Sequence, residues 1–242
     1  AWDRVAAQRP DVYIAISKEV QKRIKAYYGR ESQVIYPPVS LSARGPLRSF
    51  PPASAPLVFP SEPNAMRAVG NPSSSATPRL KKYFLIVSRL VRFKHIDLAI
   101  EAFNKLGWEL KVVGTGSDGE RLKRMAKGNI EFLGNLTDGC LRGYYEGCIA
   151  LIVPGMEDFG LASLEAQYFG KPVIAFGRGG VLETVIKGKT GEFFYPQKSQ
   201  SLIDILKTFN AAAYEQKECI KNAQNFSLKE FKKRFMEFVK TV

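Results

Sequence analysis

Short apolar runs alternate with amphipathic segments from Lys81 to the C-terminus, and this alternation constrains the fold more than any other feature. The run YFLIVS is too continuously apolar to face water on either side, which is typical of a strand in a parallel sheet. The next segment, HIDLAIEAFNKL, places Ile96, Ile100 and Phe103 on one face of a helix. The pattern continues through WELKVVG, NIEFLG, IALIVP, PVIAFG and GEFFY, and two helices are expected to complete the chain. The sequence therefore predicts an α/β fold with a doubly wound parallel sheet.

The chain before Lys81 follows a different pattern. Residues 11–17, DVYIAIS, predict a buried strand, and Ser17 is placed to cap a helix that ends at Gly29. Residues 41–80 contain eight of the fourteen prolines and show no hydrophobic period, which predicts a disordered linker. The expected organisation is a short first unit over 1–40, a linker over 41–80 and a ligand-binding domain over 81–242.

The charge balance favours an anionic partner. Thirty-six Lys and Arg residues against 23 acids give a net charge of +13, which suits a nucleotide, a nucleic acid or an acidic membrane surface. No apolar run is long enough to span a bilayer, and the N-terminus lacks the apolar stretch of a signal peptide. Three cysteines without metal-ligand spacing are interpreted as reduced thiols of a cytoplasmic protein.

The motif SRLVRFK follows the first strand of the predicted sheet. Its Arg89 and Lys94 are expected where the strand's carboxyl end meets a helix N-terminus, a position that favours anions. Two cations on this turn could bind a diphosphate without a metal, although a solvated basic loop is the simpler interpretation of this motif taken alone. The neighbouring His95 is interpreted as a surface residue at the helix start.

The turn GTGSDG carries Gly114 and Gly116 and matches the G-x-G-x-x-G pattern of dinucleotide-binding enzymes. The acidic residue expected at the end of the next strand is absent, because Glu131 lies at that strand's start. The sequence leaves two interpretations open: a turn that lets a nucleotide approach the backbone, and a plain tight turn.

Two carboxylates flank a glycine in the segment EDFGLASLE. Glu157 lies in a predicted loop, Glu165 lies inside the following helix, and Gly160 would let a ligand approach the first N–H groups of that helix. Carboxylates can accept hydrogen bonds from the hydroxyls of a sugar or ribose. A simple dipole partner at a helix start is the alternative for Glu157. Further along, Arg178 in FGRGGVLETV could meet an anion, although this motif taken alone predicts only a strand-to-helix loop.

Taken in order, these motifs resemble the C-terminal domain of family 4 retaining glycosyltransferases, which have the GT-B fold. The resemblance covers roughly residues 82–194, with weaker similarity over 2–40. Its most specific part is the pattern E-x7-E, met by Glu157 and Glu165 within PGMEDFGLASLEAQYFGKPVIAFGRGG. It implies a Rossmann-like domain that binds a nucleotide-diphosphate sugar for retaining, metal-independent hexosyl transfer. The sequence of these motifs is most similar to that of mannosyltransferases of O-antigen-type polysaccharide synthesis, which implies GDP-mannose as donor.

The resemblance also implies roles for single residues. Arg89 and Lys94 would bind the donor's diphosphate and stabilise it as a leaving group, and Glu157 would hold the hydroxyls of the donor sugar; these three are the expected catalytic residues. The other expected donor-binding residues would meet the sugar, phosphate, ribose or base, and they are Gly114, Gly116, Ile130, Phe132, Leu133, Phe159, Gly160, Leu161 and Glu165. No metal and no cofactor is expected.

The same family places acceptor binding in an N-terminal domain of similar size, of which residues 1–40 resemble only the tail. The resemblance therefore implies a glycan or lipid-linked acceptor that this chain alone would not serve. The helix SLKEFKKRFMEFVKTV, opened by a Ser227/Glu230 capping box, resembles the one that packs back toward that domain. Its lysines suit either solvent or the anionic inner face of the membrane, so a cytoplasmic, peripherally associated protein is expected.

Two alternatives belong to other functional classes. The first is a non-catalytic nucleotide-sugar-binding module or an inactive truncated transferase, which would share every binding residue. The second is nucleic-acid binding by the basic surface. No recognisable nucleic-acid module supports it, and no nucleic-acid partner is expected.

Overall fold

The structure is a computed structural model that describes residues 2–39 and 82–241. The predicted linker at 41–80 lies outside the described residues.

One parallel sheet of six strands forms the centre of the larger part of the chain. Its strands are β3 Phe84–Val87, β4 Leu110–Val113, β5 Ile130–Gly134, β6 Leu151–Val153, β7 Val173–Phe176 and β8 Gly191–Phe194. They lie side by side in the order β5-β4-β3-β6-β7-β8. Strands β4 and β5 therefore add to one side of β3, whereas β6 lies on the other side of β3 and is followed outward by β7 and β8. The switch point between β3 and β6 is where open α/β sheets bind ligands.

Helices cover both faces of this sheet, as the continuous apolar strands require. The helices of this part of the chain are α3 Ile96–Leu106, α4 Gly119–Met125, α5 Asp138–Gly147, α6 Leu161–Tyr168, α7 Val181–Thr184, α8 Ser199–Thr208, α9 Gln216–Gln224 and α10 Leu228–Val239. A short 3-10 turn, Arg92–Lys94, precedes α3.

The two faces of the sheet bury different hydrophobic clusters. Phe84 and Ile86 of β3 pack with Ile100 and Phe103 of α3 in the first cluster. Leu85, between them, belongs to the second cluster, on the opposite face. Because neighbouring side chains of a strand point to opposite faces, a strand buried on both sides must be apolar at every position. The predicted parallel sheet, and the α3 face of Ile96, Ile100 and Phe103, are confirmed.

Residues 2–39 contribute a smaller unit before the six-stranded sheet. Helix α1 spans Trp2–Ala6. Two-residue strands β1 Ile14–Ala15 and β2 Gln33–Val34 pair in parallel, and helix α2, Lys18–Tyr28, connects them along the chain. The predicted caps of α2 are confirmed: the Ser17 hydroxyl accepts from the N–H of Val20, and Gly29 ends the helix with φ 67°.

Two predictions about elements were wrong in detail. The segment DVYIAIS is not a buried strand throughout: only two of its residues pair, and Ile14 and Ile16 are 39% and 41% exposed. The chain ends in three α-helices after β8 rather than two. The Asn210 side chain accepts from the N–H of Ala212 and begins a 3-10 turn, Ala211–Ala213, which separates α8 from α9.

Helix α10 is amphipathic and none of its residues is buried. The Ser227 hydroxyl accepts from the N–H of Glu230 at its start, which is one half of the predicted capping box. Among the residues that the structure describes, no helix is long and apolar enough to cross a bilayer.

Candidate functional site

Lys94 and Glu157 meet at the switch point of the sheet. Lys94 lies in the loop after β3 and Glu157 in the loop after β6, 63 residues further along the chain. The Lys94 ammonium donates to Oε2 of Glu157 at 2.6 Å, and the two side chains are 14% and 22% exposed. The parallel strand order thus brings together two of the three residues predicted to be catalytic.

A small cavity lies beside this ion pair, between the ends of β3 and β6 and the start of α6. Ser88, Lys94, Pro154, Glu157, Gly160 and Ala162 are among its lining residues. Its walls therefore combine an ammonium group, a carboxylate and the backbone of a helix N-terminus, which is a set of groups able to bind both phosphate and hydroxyl oxygens.

Gly160 shapes the start of α6. It adopts φ 95°, a left-handed conformation that glycine takes without strain, and no side chain caps the helix. The side chain of the preceding Phe159 is buried, whereas that of Leu161 is 44% exposed. The first N–H groups of α6 are hence presented beside Lys94 and Glu157 without a side-chain cap, at the positive end of the helix dipole.

The β6–α6 loop, residues 154–160, is held by backbone contacts on two sides. A Cβ atom on Gly155 would lie 2.6 Å from the Lys94 carbonyl oxygen. On the other side, the N–H of Gly180 donates to the Glu157 carbonyl at 2.7 Å, and a Cβ atom on Gly180 would lie 2.3 Å from Cα of Phe159. Only glycines allow these approaches, so the loop is fixed to both neighbouring strand-to-helix turns.

Arg89 lies two residues beyond β3 and its side chain is exposed. It stands at the same edge of the sheet as Lys94, as predicted. Arg178, two residues beyond β7, is exposed at this edge as well.

Glu165 has a different environment from Glu157. Its Oε2 accepts a hydrogen bond from the hydroxyl of Tyr145 at 2.7 Å. Tyr145 belongs to α5, is fully buried and stacks on Phe169. The E-x7-E pattern thus contains one carboxylate paired with a lysine and a second, within α6, paired with a tyrosine.

The glycines of GTGSDG have a structural reason of their own. A Cβ atom on Gly114 would lie 1.9 Å from the Ser88 carbonyl oxygen, and one on Gly116 would lie 2.3 Å from that of Leu90. The N–H of Leu90 also donates to the carbonyl of Thr115 at 2.9 Å. The turn therefore packs directly against the loop that carries Arg89, and this contact alone accounts for both glycines.

The residues predicted to contact the base lie along β5, at the edge of the sheet. Ile130 and Phe132 pack in the first hydrophobic cluster and Leu133 in the second. Leu133 lies near the carboxyl end of β5, but Ile130 begins the strand, about 10 Å back along it. The structure therefore brings Leu133, but not Ile130, to the edge that carries Lys94.

Sequence reasoning overlooked Gly155 and Asp158, which lie in the β6–α6 loop and contact Lys94 and Ser17, and Glu183, which accepts from the N–H of Lys18 at the start of α2. The Gly179-Gly180 pair was the available signal, because adjacent glycines indicate a close backbone approach. The sequence alone did not show that the β6–α6 loop makes that approach. Within residues 2–39 and 82–241 no group of three or more His, Cys, Asp or Glu side chains is arranged to hold a metal ion.

Comparison with known proteins relates the chain to glycosyl transferases. A family model described as glycosyl transferases group 1 matches residues 71–226. The alpha-1,3/1,6-mannosyltransferase ALG2 of Dictyostelium discoideum is 29% identical over 192 residues, covering 66% of this chain and 46% of that protein. Glycogen synthase of Pseudomonas paraeruginosa is 34% identical over 137 residues, covering 52% of this chain and 27% of the synthase. The matched region is less than half the length of either relative.

Solved structures show the same fold. Anabaena HepE, in complex with UDP-glucose, superposes with a TM-score of 0.74 at 20% identity, covering 99% of this chain and 67% of HepE. Sucrose-phosphate synthase from Thermosynechococcus elongatus gives 0.73 at 20% identity, covering 99% of this chain and 60% of the synthase. The predicted doubly wound α/β fold, of the kind found in GT-B glycosyltransferases, is confirmed.

Proposed function

This chain belongs to the glycosyl transferases group 1 family, and we propose from that premise that its six-stranded domain binds a nucleotide-diphosphate sugar at the switch point between β3 and β6. The bound donor would serve hexosyl transfer to a glycan or lipid-linked acceptor. We assign residues 82–241 to donor binding and residues 2–39 to the acceptor side of the cleft.

The contact between Lys94 and Glu157 is the observation that carries this proposal. A lysine whose side chain is 14% exposed offers a partly desolvated charge, and such a charge interacts with a diphosphate more strongly than a fully hydrated one. Glu157 holds that ammonium in place and keeps acceptor oxygens for sugar hydroxyls. The pair thus suits a ligand that carries a diphosphate next to a sugar.

Leaving-group stabilisation follows from the same arrangement. Breaking the bond from the sugar to the diphosphate transfers negative charge to the phosphate oxygens. Lys94, Arg89 and the N-terminus of α6 would all lie close to that charge, and preorganised groups of this kind are a large catalytic term. A cationic clamp can perform the role that a metal ion has in other transferases, so we propose a retaining, metal-independent reaction of the family 4 type.

The identity of the donor is the finer part of the proposal. The ALG2 relative is named as a mannosyltransferase, and the motifs resemble the mannosyltransferases of O-antigen-type synthesis, which favours GDP-mannose. HepE was solved with UDP and with UDP-glucose, which makes UDP-glucose the donor to compare against it. We propose GDP-mannose as donor.

Residues on α10 suit a peripheral location. Lys229, Lys232, Lys233 and Lys240 lie on or next to this helix and are exposed, and they would favour an anionic surface. We propose that the protein works in the cytoplasm, at the inner face of the membrane.

Calorimetric titration tests the proposal. UDP, GDP and ADP, each alone and as its glucose or mannose conjugate, are titrated into the chain at low and at physiological salt. We expect GDP and GDP-mannose to bind most tightly, and to remain bound at salt concentrations that abolish binding of a DNA duplex. Absence of binding by every nucleotide, with the duplex still bound at physiological salt, would contradict a donor site.

A further inference from the structure

Glu183, near the end of α7, binds the amino end of helix α2. Its two carboxylate oxygens accept from the N–H of Lys18, each at 3.0 Å, and Oε1 also accepts from the N–H of Glu19 at 3.4 Å. The hydroxyl of Tyr36 donates to Oε2 at 2.9 Å. One carboxylate 165 residues away thus binds both the first turn of α2 and the segment that follows β2.

A first connection runs from this carboxylate to the β6–α6 loop through Ser17. Ser17 immediately precedes Lys18, is fully buried, and donates its hydroxyl to the carbonyl of Asp158 at 2.5 Å. Arg23, one and a half turns along α2, donates to Oδ1 of Asp158 at 2.6 Å. The N-terminus that Glu183 binds therefore holds the residue that follows Glu157.

A second connection runs through Tyr36. Its ring stacks on that of Phe159, with centroids 5.5 Å apart and planes 18° from parallel. Phe226 packs edge-on against both rings at 5.5 and 5.7 Å, and the Arg234 guanidinium lies 5.8 Å from the Tyr36 ring centre. The tyrosine that Glu183 binds therefore holds the residue that precedes Gly160.

Helix α7 is itself firmly placed, so Glu183 has a rigid base. The buried Gln167 of α6 donates to the carbonyl of Thr184 at 2.8 Å, and the buried Asn222 of α9 donates to the same carbonyl at 2.9 Å. Three helices are thereby joined at the residue after Glu183. A carboxylate fixed in this way can transmit position to what it binds.

We infer that Glu183 is a positioning residue for the β6–α6 loop: through Ser17 to Asp158, and through Tyr36 to Phe159, it fixes the backbone that presents Glu157 and the start of α6 to the donor. Glu183 itself does not touch the donor in this assignment. The inference rests on the proposed function for its consequence in ligand binding, but its structural half is testable without any ligand.

Glu183→Gln is the variant that tests the inference, because it keeps the side-chain shape and removes the charge that binds α2. Tyr36→Phe is the second variant, which keeps the ring on Phe159 and removes only the hydrogen bond. Glu192→Gln is the matched control: Glu192, on β8, also accepts from a tyrosine hydroxyl, that of Tyr214 at 3.1 Å, and neither residue belongs to the β6–α6 loop or to residues 2–39. The full chain is used throughout.

Hydrogen exchange of the peptide that contains residues 154–161 is the first measurement, expressed relative to the β7 strand so that global destabilisation cancels. We expect Glu183→Gln to speed this exchange about tenfold and Tyr36→Phe about threefold, as expected for losing a charge-assisted and a weaker hydrogen bond. Binding of GDP and UDP by calorimetry is the second measurement, and we expect a loss of about fivefold for Glu183→Gln. Glu192→Gln should leave both unchanged.

Exchange and affinity that stay at the wild-type values in Glu183→Gln would overturn the inference. If that variant does not fold, Tyr36→Phe is the test: faster exchange of residues 154–161 supports the inference, and unchanged exchange refutes it. If wild-type protein binds no nucleotide, the proposed donor site fails, while faster exchange in the two variants still supports the positioning role and unchanged exchange still refutes it.

Discussion

Replacing Lys94 and replacing Glu157 should change the affinity for a free nucleoside diphosphate in opposite directions. In the ligand-free protein the two side chains neutralise each other across 2.6 Å. A diphosphate must share the ammonium of Lys94 with the Glu157 carboxylate, and that carboxylate repels it. Lys94→Ala removes the attraction, whereas Glu157→Gln removes the competitor and keeps the lysine.

The size of each effect follows from the contact. Loss of a charge-assisted hydrogen bond costs about 1.5–3 kcal/mol, so Lys94→Ala should weaken the binding of GDP or UDP by roughly ten- to a hundredfold. A phosphate oxygen on the far side of the ammonium would lie about 5 Å from the Glu157 carboxylate. Repulsion at that distance, partly screened by solvent at the open cleft, is about 1 kcal/mol, so Glu157→Gln should tighten the same ligands about fivefold.

For the complete nucleotide sugar, Glu157→Gln should change the affinity in the opposite direction. If this carboxylate accepts from the hydroxyls of the donor sugar, Glu157→Gln loses a charge-assisted contact of about 1.5–3 kcal/mol that free GDP never makes. We therefore expect Glu157→Gln to bind GDP more tightly, and GDP-mannose less tightly, than the wild type does.

Isothermal titration with guanosine, GDP and GDP-mannose, and with the uridine series, measures all of these constants. Lys111→Ala is the matched control, because Lys111, on β4, also pairs with a glutamate, Glu131 on β5, and this pair lies away from the switch point. Guanosine and uridine, which carry no phosphate, should bind all variants alike. Equal losses of affinity for the nucleoside and its diphosphate in Lys94→Ala, or weaker GDP binding in Glu157→Gln, would refute the reasoning.

Three further predictions concern single side chains. Arg89→Ala should weaken GDP binding about tenfold without changing the melting temperature, because its exposed guanidinium contributes to the ligand and little to the fold; calorimetry and thermal unfolding measure the two effects. Burial, and then the hydrogen bond to Glu183, raises the pKa of Tyr36 from 10.0 to about 12, so its stabilisation is complete below pH 10 and is lost as the pH rises toward 12. Denaturant titrations between these pH values should show a steeper fall for wild type than for Tyr36→Phe, and equal slopes would contradict the assignment. Exposed Cys140 should react with a thiol reagent in the native protein, while burial raises the pKa of the Cys148 and Cys219 thiols to about 12 and about 11 and keeps them unreactive until unfolding; more than one fast thiol would show that the packing is wrong.

Local signals in the sequence were sufficient for most elements of the fold. Ser17 and Gly29 marked both ends of α2, and the apolar period of α3 predicted its buried face. Such features depend on residues three or four apart, which a single sequence displays directly. The third C-terminal helix was missed because the turn at Ala211–Ala213 is made of good helix formers, and only the Asn210 side chain marks it.

The site was only partly predictable for a different reason. The motifs at Lys94 and Glu157 could be recognised separately, but their contact depends on β3 lying beside β6, and strand order is a property of the whole sheet. The role of Glu183 was invisible because it joins residues 165 positions apart and its own surroundings, VLETVI, match an ordinary helix.

The position of the β6–α6 loop depends on main-chain contacts at glycines and not on the side chains at its rim. Gly155 and Gly180 place the loop by main-chain contact, and Gly116 does the same for the neighbouring turn. Main-chain atoms are common to every residue type, so the side chains on the rim, such as Arg178 and Met156, can be exchanged without moving the framework. Donor preference should accordingly be open to engineering by substituting rim residues, whereas a single alanine at any of the three glycines should abolish binding of every donor at once.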